Sequence, residues 1–542
     1  MKKRKKYYQS QARHPTESVL VSKVKNSGYS EGGASHTKAG LRAYNPIKSS
    51  TQADVDANLS TLRSRSADLF CNSPIGSAAL NVARNNTIGA GLKVSPKLDY
   101  RTLGISAEQA KEWQRNTQRE FELWAASTSC DLYRKNNFYD MQDVVYLSYL
   151  MDGDGWAQIK YRPALPNNPY CLRIQLFEAA RVCNPDSVTA YGLSNPATVE
   201  VRNPKNGNRI VNGVEINKDG AVVAYWIANR IPFDLANPST LLEWVRVEAF
   251  GRRTGMPNIL QISHEERPEQ YRGVPYLAPV IEIIKQITRY ANAELIAAVI
   301  KSYFAIFFTS KTGETNDIMD VMDGSGGEKL SYEEKREILD GIDLAAGSAN
   351  LLPEGIDVKA VDGSRTMSTF QAFTDALVTQ AGAALNIPAD VLMSRFQSSY
   401  SASRGALLQA AALFKTRRVW FVRDFCQPVY EAWLAEAVAI GRVQAPGYGT
   451  DPLITKAWSK ADWFGPVMGM LDPVKEVTGA ALRRKYGFSS GEREAAELTG
   501  SDYDDNIDQI ALENATWAKH GLSVPVADNT GKDAEGGDKK DE

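Results

Sequence analysis

YLAPVIEIIKQITRYANAELIAAVIKSY, Tyr276 to Tyr303, is the stretch on which the fold turns. Its apolar residues are too many for an exposed strand, and its polar ones are too regularly placed for a lipid-embedded segment. Glu282, Lys285, Arg289 and Asn292 recur at three- and four-residue steps, which puts them in one hydrated stripe on an otherwise apolar helix. At about 1.5 Å per residue the helix is a rod of roughly 40 Å. The same charges, with Glu294 and Lys301, exclude a membrane span, because their combined burial in lipid would be prohibitive. Such a rod packs against neighbours and shows one narrow face to water.

Working outward, a polar segment from about Ser310 to Val361 follows, with the flexible run Gly324-Ser325-Gly326-Gly327 and a short helix expected near Tyr332 to Leu344. A second long helix is expected over Thr366 to Leu385, stopped by Asn386-Ile387-Pro388. A loop, Ser394 to Ser401, then leads into a third long helix, Ser403 to about Ile440. Pro428 should kink it, since the ring removes a backbone donor and clashes with the preceding turn.

Upstream, helical spacing over Ala53 to Phe70 precedes Ser73-Pro74, an N-cap and N1 pair that opens a second helix to about Asn86. Ser106 with Gln109 forms a capping-box pattern starting a helix to about Ala126, and another helix is expected over Met141 to Met151. Trp156 to Tyr161, Leu172 to Phe177, Val214 to Ile216, Val222 to Ala228 and Val245 to Phe250 read as strands of an antiparallel module, with a hairpin at Lys218-Asp219-Gly220. The fold class is α+β, mainly helical.

With 542 residues, 43% hydrophobic and 23% charged, the chain exceeds the size of a single core and is expected to divide into modules. Lys+Arg 63 against Asp+Glu 64 leaves a net charge of -1, so any nucleic-acid contact must be local. Residues 1–45 read as a disordered basic arm and 524–542 as a disordered polar tail. No apolar signal core follows the basic Lys2 to Lys6. The five cysteines are scattered without a paired motif, which suggests neither a disulfide framework nor a zinc site.

Signs of catalysis are absent. The string G-x-S-x-G occurs at Gly28 to Gly32 and Gly487 to Gly491, in neither case between a strand and a helix as a nucleophile elbow requires. Asp152-Gly153-Asp154-Gly155 lacks the later ligands of a calcium loop and reads as a helix-to-strand turn. Gly324 to Lys329 lacks the P-loop spacing. Glu265, Glu266 and Glu269 beside Arg267 and Arg272 read as a solvated loop, with an intersubunit ion-pair site as the alternative. Arg417, Arg418 and Arg423, interleaved with Trp420 and Phe421, read as a packed helix face with a solvated edge rather than a base-stacking surface. No enzyme, cofactor or metal is expected.

Eight strings then carry a resemblance. RSRSADLFCNSPIGSAALNVARNNTIGAGL (Arg63 to Leu92), FELWAASTSCDLY (Phe121 to Tyr133), LMDGDGWAQI (Leu150 to Ile159) and GVEINKDGAVVAYWI (Gly213 to Ile227) are followed by ERPEQYRGVPYLAPVIEII (Glu266 to Ile284). LLPEGIDVKAVD (Leu351 to Asp362), LNIPADVLMSRFQSSYSASRGALL (Leu385 to Leu408) and a helix containing Trp433 complete the series. In this order they resemble the lambda family of bacteriophage portal proteins over roughly Ala53 to Gly441, more weakly beyond Leu471.

The resemblance implies a ring-forming portal fold, usually of twelve copies, with wing, stem, clip and crown regions. Carried onto this chain, 46–275 is the wing, 276–303 the first stem helix, 304–365 the clip and 366–386 the second stem helix. Residues 387–402 are the tunnel-loop region, 403–470 the wing spine, and 471–523 the crown or C-terminal helical region. Arg395, Phe396, Gln397, Ser398, Ser399 and Tyr400 are then the loop beside DNA, and Lys285, Arg289 and Lys301 face the lumen or a neighbouring subunit. The implied partners are further copies of the chain, double-stranded DNA, the terminase large subunit, a major capsid or scaffold protein and head-completion or neck proteins, with no membrane. The implied location is the virion portal vertex, and the host cytoplasm during assembly. A structural head or adaptor protein without a channel is the alternative, and two rods flanking a polar insert favour the portal.

Overall fold

Capping chemistry sets the first helices. The computed structural model describes residues 33–35, 38–185, 200–232, 242–302, 306–310, 356–360, 368–396, 399–467 and 473–522. Residues 39–43 form turns, and the described residues from Thr51 on form one compact unit. A π-turn, Gln52–Asp56, precedes α1 (Leu59–Asn72), so the single helix expected over Ala53 to Phe70 is interrupted at residues 57 and 58. The Ser73 hydroxyl accepts from the Gly76 N–H and opens α2 (Pro74–Thr87). Strand β1 (Lys93–Pro96) and the short α3 (Tyr100–Leu103) lead to α4 (Ala107–Ala125), which starts on the expected Ser106–Gln109 capping box. A second capping box, Asn137 with Asp140, starts α5 (Phe138–Asp152) three residues before the expected Met141.

The β-rich stretch folds as two antiparallel sheets. Strands β2 (Asp154–Tyr161), β3 (Leu172–Leu176) and β9 (Ile259–Ser263) make one, in the order β3-β2-β9. The other has the order β4-β5-β6-β7-β8, with β4 Glu200–Arg202, β5 Arg209–Val211, β6 Val214–Ile216, β7 Val222–Ala228 and β8 Trp244–Glu248. The expected hairpin joins β6 to β7, with Asn217 N–H bonded to Ala221 O at 2.9 Å and Gly220 at φ 85°. Trp156, Phe177, Tyr225 and Ile227 fill the core between the sheets.

Downstream, α6 (Ile281–Ser302) follows a short turn, Ala278–Val280, and is continued by β10 (Ile306–Ser310). Strand β11 (Ile356–Ala360) returns antiparallel to β10 and α7 (Ser368–Leu385) follows. The expected short helix near Tyr332 lies outside the described residues. After α8 (Ala389–Leu392) the third long helix begins at Tyr400, three residues earlier than expected, because Ser399 accepts from the Ala402 N–H as N-cap. It runs as α9 (Tyr400–Phe421), a π-turn Val422–Cys426 and α10 (Gln427–Ala439). The wider π-turn just ahead of Pro428 accommodates a ring that would otherwise meet the carbonyl one turn back, so the helix continues through the proline. Then come α11 (Pro452–Ser459), β12 (Ala461–Phe464) pairing antiparallel with β1, and the C-terminal helices α12 (Pro473–Lys485), α13 (Gly491–Leu498) and α14 (Tyr503–Lys519).

The main core is aromatic. Phe121 and Trp124 of α4 meet Phe138 of α5 and Tyr430 and Trp433 of α10, with Phe121 edge-on to Trp433 at 5.0 Å. In the five-stranded sheet, the fully buried carboxylate of Glu215 takes Arg246 in a fork at 2.8 and 3.0 Å. It also takes the Asn203, Asn206 and Asn208 amides and the Trp226 indole N–H. Burial alone would raise its pKa, but these donors outweigh it and hold the group at about 2 against an ordinary 4.5. The stability this provides is fully present above pH 4.5 and is lost as pH falls toward 2. Glu215→Gln should cost roughly 2–3 kcal/mol in urea unfolding at pH 7, and the gap to the parent protein should narrow as pH falls below about 4.5. A gap that does not change with pH would exclude the carboxylate as its source.

Candidate functional site

Arg272 organises the region from which the stem-like rods leave. Its side chain is wholly buried and its Nε donates to Asp154 at 2.6 Å, while its Nη atoms donate to the carbonyls of Val182, Asn212 and Ala179. Arg63 of α1 donates to the same carboxylate at 2.7 Å and to the Asp152 carbonyl at 2.8 Å. The Gly273 N–H supplies a further bond to Asp154 at 2.7 Å. Burial, then repulsion from Arg272, pulls Arg63 down to about 10, and burial pushes Asp152 up to about 6. The charged run expected as a solvated loop is thus corrected: Glu265, Glu266 and Glu269 are exposed, but Arg272 is core. A hydrogen-bonded buried guanidinium is tolerable only because every direction it points in meets an oxygen or the Trp156 ring, 5.4 Å away.

Asp152-Gly153-Asp154-Gly155 is the helix-to-strand turn that its sequence suggests, with Gly153 at φ 85°. A Cβ on Gly153 would lie 2.4 Å from the Gly273 carbonyl, so the two chain segments cross backbone to backbone. Four residues beyond Arg272, Tyr276 is the junction. Its N–H bonds the Leu150 carbonyl at 2.9 Å, its hydroxyl donates to the Leu385 carbonyl, and its ring lies 4.1 Å under the Arg417 guanidinium. One residue thereby ties α5, both rods and α9 together.

The rods run antiparallel, since Tyr276 meets Leu385 at one end while Tyr290 of α6 packs on Phe370 and Phe373 of α7 at 5.3 and 4.9 Å. Ile284, Ile287, Val378 and Ala381 are buried between and beneath them. Leu295, Ile296 and Phe373 remain 64%, 60% and 49% exposed on the rods, as do Leu408 and Val419 on α9 at 62% and 61%.

The residues singled out in the sequence fall at separate places. Lys285 bonds Asp68 of α1 at 2.8 Å and holds that carboxyl below its usual range. Arg289, one turn further, is exposed without an ion pair among the described residues, and Lys301 lies in the last turn of α6. Arg395 pairs with Asp375 of α7 at 3.6 Å, Phe396 is half exposed, Ser399 is the N-cap of α9 and Tyr400 its first residue. Gln397 and Ser398 lie outside the described residues. The loop expected over 394–401 is thus shorter and tied to the second rod. Arg417 and Phe421 pack inward, Arg418 donates to the carbonyls of Thr87, Asn86 and Pro466, and Trp420 stacks on His264 at 3.8 Å. Among the described residues no group of three or more His, Cys, Asp or Glu is placed to hold a metal ion, and no helix is long and apolar enough to cross a membrane.

Sequence reasoning passed over Asp154, Arg63, Arg272 and Tyr276 as a set; the one available signal was that Arg272-Gly273 and Asp152-Gly153 are both charge-plus-glycine pairs bounding apolar runs. Arg272→Met should destabilise by roughly 3–5 kcal/mol, because Asp154 loses a buried charge-assisted bond and the carbonyls of Val182, Asn212 and Ala179 lose their donor, and Asp154→Asn added to it should deepen the loss by removing the carboxylate that Arg63 pairs with. Lys285→Ala should leave the urea midpoint unchanged. A small loss for the Arg272 variant would remove this cluster from its organising role.

The family described as phage portal protein, lambda family, matches residues 37–418. Portal protein B of Escherichia phage lambda is 24% identical over 519 residues, covering 92% of each chain, and the portal protein of Escherichia phage N15 is 24% identical over 521 residues, again 92% of each. Among solved structures, a chain of the neck of a native GTA particle computed with C12 symmetry is 12% identical, with 81% of this chain and 92% of that one covered, a loose likeness at a TM-score of 0.41. From residues 37 to 418 at the least, the chain belongs to the lambda family of phage portal proteins.

Proposed function

We propose that copies of this portal chain close into a ring, twelve in number, at one capsid vertex, and that double-stranded DNA enters and leaves through its centre. The observation that carries the ring is the apolar surface left on the rods and on α9. Leu295, Ile296, Leu408 and Val419 are each 60% exposed or more on helices otherwise packed on their inner faces, a pattern that calls for a protein partner. In a closed ring such a surface meets a different surface of the next copy, so every subunit is covered alike.

The channel reading rests on family membership and charge. A lumen must let DNA slide, and each Lys or Arg bound to phosphate releases counterions and adds a salt-dependent hold. A net charge of -1 avoids that grip over the chain as a whole, and Lys285 is occupied by Asp68. The energy for DNA movement would then come from a partner, the terminase large subunit, with head-completion or neck proteins taking its place after filling. The segment between β10 and β11, reached along the paired rods, is the surface proposed for both, as the clip. Contacts with the major capsid or scaffold protein belong to the wing. The loop from Arg395 to Tyr400, held by Asp375 at one end and by the α9 N-cap at the other, is proposed to border the DNA.

Negative-stain class averages of the purified chain should show rings with a central hole; monomers or flat lattices would favour an adaptor without a channel. Deleting Phe396 to Ser398 should leave those rings intact while lowering packaged or retained DNA about tenfold in a complementation assay. Normal packaging by that variant would remove the loop from the channel.

A further inference from the structure

A cleft of about 150 Å³ opens where the two sheets of the wing diverge. That is far more room than the roughly 10–15 Å³ one water requires. Its floor is aliphatic and aromatic, formed by Phe177, Ile227 and Val247. Gln158 and Gln175 stand opposite one another on β2 and β3 and give the wall two amides. Two residues on from Gln158, on the same face of β2, is Lys160, and across from it Arg181. Among the described residues no carboxylate lines the cleft.

The charges are the informative part. Arg181 is fixed, its Nε donating to the Ala228 carbonyl at 2.9 Å and its guanidinium 5.7 Å from the Phe177 ring. Lys160 is half-buried and its ammonium forms neither an ion pair nor a hydrogen bond among the described residues. Burial, then the neighbouring Arg162 and Arg181, lowers its pKa. A part-buried cation that faces another cation costs folding energy and is ordinarily matched by an anion. Here the described residues supply none at the cleft.

We propose that this cleft docks an acidic peptide segment of a partner protein, a Glu or Asp side chain seating between Lys160 and Arg181 and an aliphatic neighbour resting on Phe177, Ile227 and Val247. Charge complementarity and the mixed lining both argue for it. A carboxylate satisfies two cations and can accept from the Gln158 amide, and an extended chain alternates acidic and aliphatic side chains at the spacing the polar wall and apolar floor present. Nucleic acid fits less well. Its phosphates seek exposed cations and its bases seek open aromatic faces, whereas Lys160 is half-buried and Phe177, the one aromatic here, is buried beside Arg181. The site lies on the sheets, apart from the rods and the loop assigned to the channel.

The test is fluorescence anisotropy on the full-length chain, with a fluorescein-labelled peptide Gly-Val-Glu-Val-Glu-Val-Gly and its Gln counterpart as probes. The Glu peptide should bind about tenfold more tightly than the Gln peptide, a difference near 1.4 kcal/mol. Lys160→Gln should weaken the Glu peptide about fivefold or more with an unchanged thermal melt, and Lys160→Glu should abolish binding. Equal binding of the two peptides, no binding of either, or indifference to Lys160→Gln would overturn the proposal. So would tighter, Lys160-dependent binding of a 20-nucleotide oligo-dT, which would assign the cleft to nucleic acid. Ring formation is scored separately by negative stain, so failure here and failure of the channel reading are distinguishable.

Discussion

Taking a carboxylate and two guanidinium groups out of water is expensive, and the triad that Asp154 forms with Arg272 and Arg63 is stable only as a complete set. Arg272 alone meets one carboxylate, three carbonyls and an aromatic face, drawn from three parts of the chain: β2 (Asp154 and Trp156), the loop after β3 (Ala179 and Val182) and the β5–β6 turn (Asn212). If any segment shifts, a buried charge loses an acceptor. The cluster therefore fixes α1, the start of β2, the loop after β3, the β5–β6 turn and the entry to α6 in one arrangement. The close backbone crossing of Gly153 and Gly273 lies at its edge, where only glycine leaves room.

That arrangement delivers Tyr276 to its place, and Tyr276 in turn sets where the rods begin. The residue spends its backbone on α5, its hydroxyl on the end of α7 and its ring on Arg417 of α9. A displacement of the long α9–α10 helix is felt at the base of both rods through this one side chain. The π-turn at Val422–Cys426 lies one turn further along the same helix and lets it pass Pro428 without breaking, so α9 and α10 remain mechanically one element. In a portal subunit, where rods and loop are proposed to meet DNA and the wing to meet the capsid, such a joint links the two.

Much of this architecture is legible locally. The Ser73 and Ser106 caps, the hairpin at Lys218 to Gly220 and the Asp152–Gly155 turn were readable because each depends on residues within a few positions of one another. The β1–β12 pair was not, since its strands are four residues each and separated by some 360 positions, with no periodicity long enough to mark them. Strand β9 escaped for a similar reason, and with it the division of the β module into two sheets. Arg272 was misread because a charged residue among Glu265, Glu266 and Glu269 looks solvated until its acceptors, 60 to 118 positions away, are folded around it.

The helical rods with their polar stripe, the antiparallel strands, the charge balance and the likeness to portal proteins are all readable from the residues in order, since they follow from side chains a turn or a strand apart or from the order of strings along the chain. Which charges are structural and which are left to partners emerges on folding. Lys285 goes to Asp68 and Arg395 to Asp375, while Arg289 and Lys160 pair with no acid among the described residues. The physical reason is that a charge's role depends on the dielectric around it and on acceptors brought from distant segments, and neither is written in its local sequence.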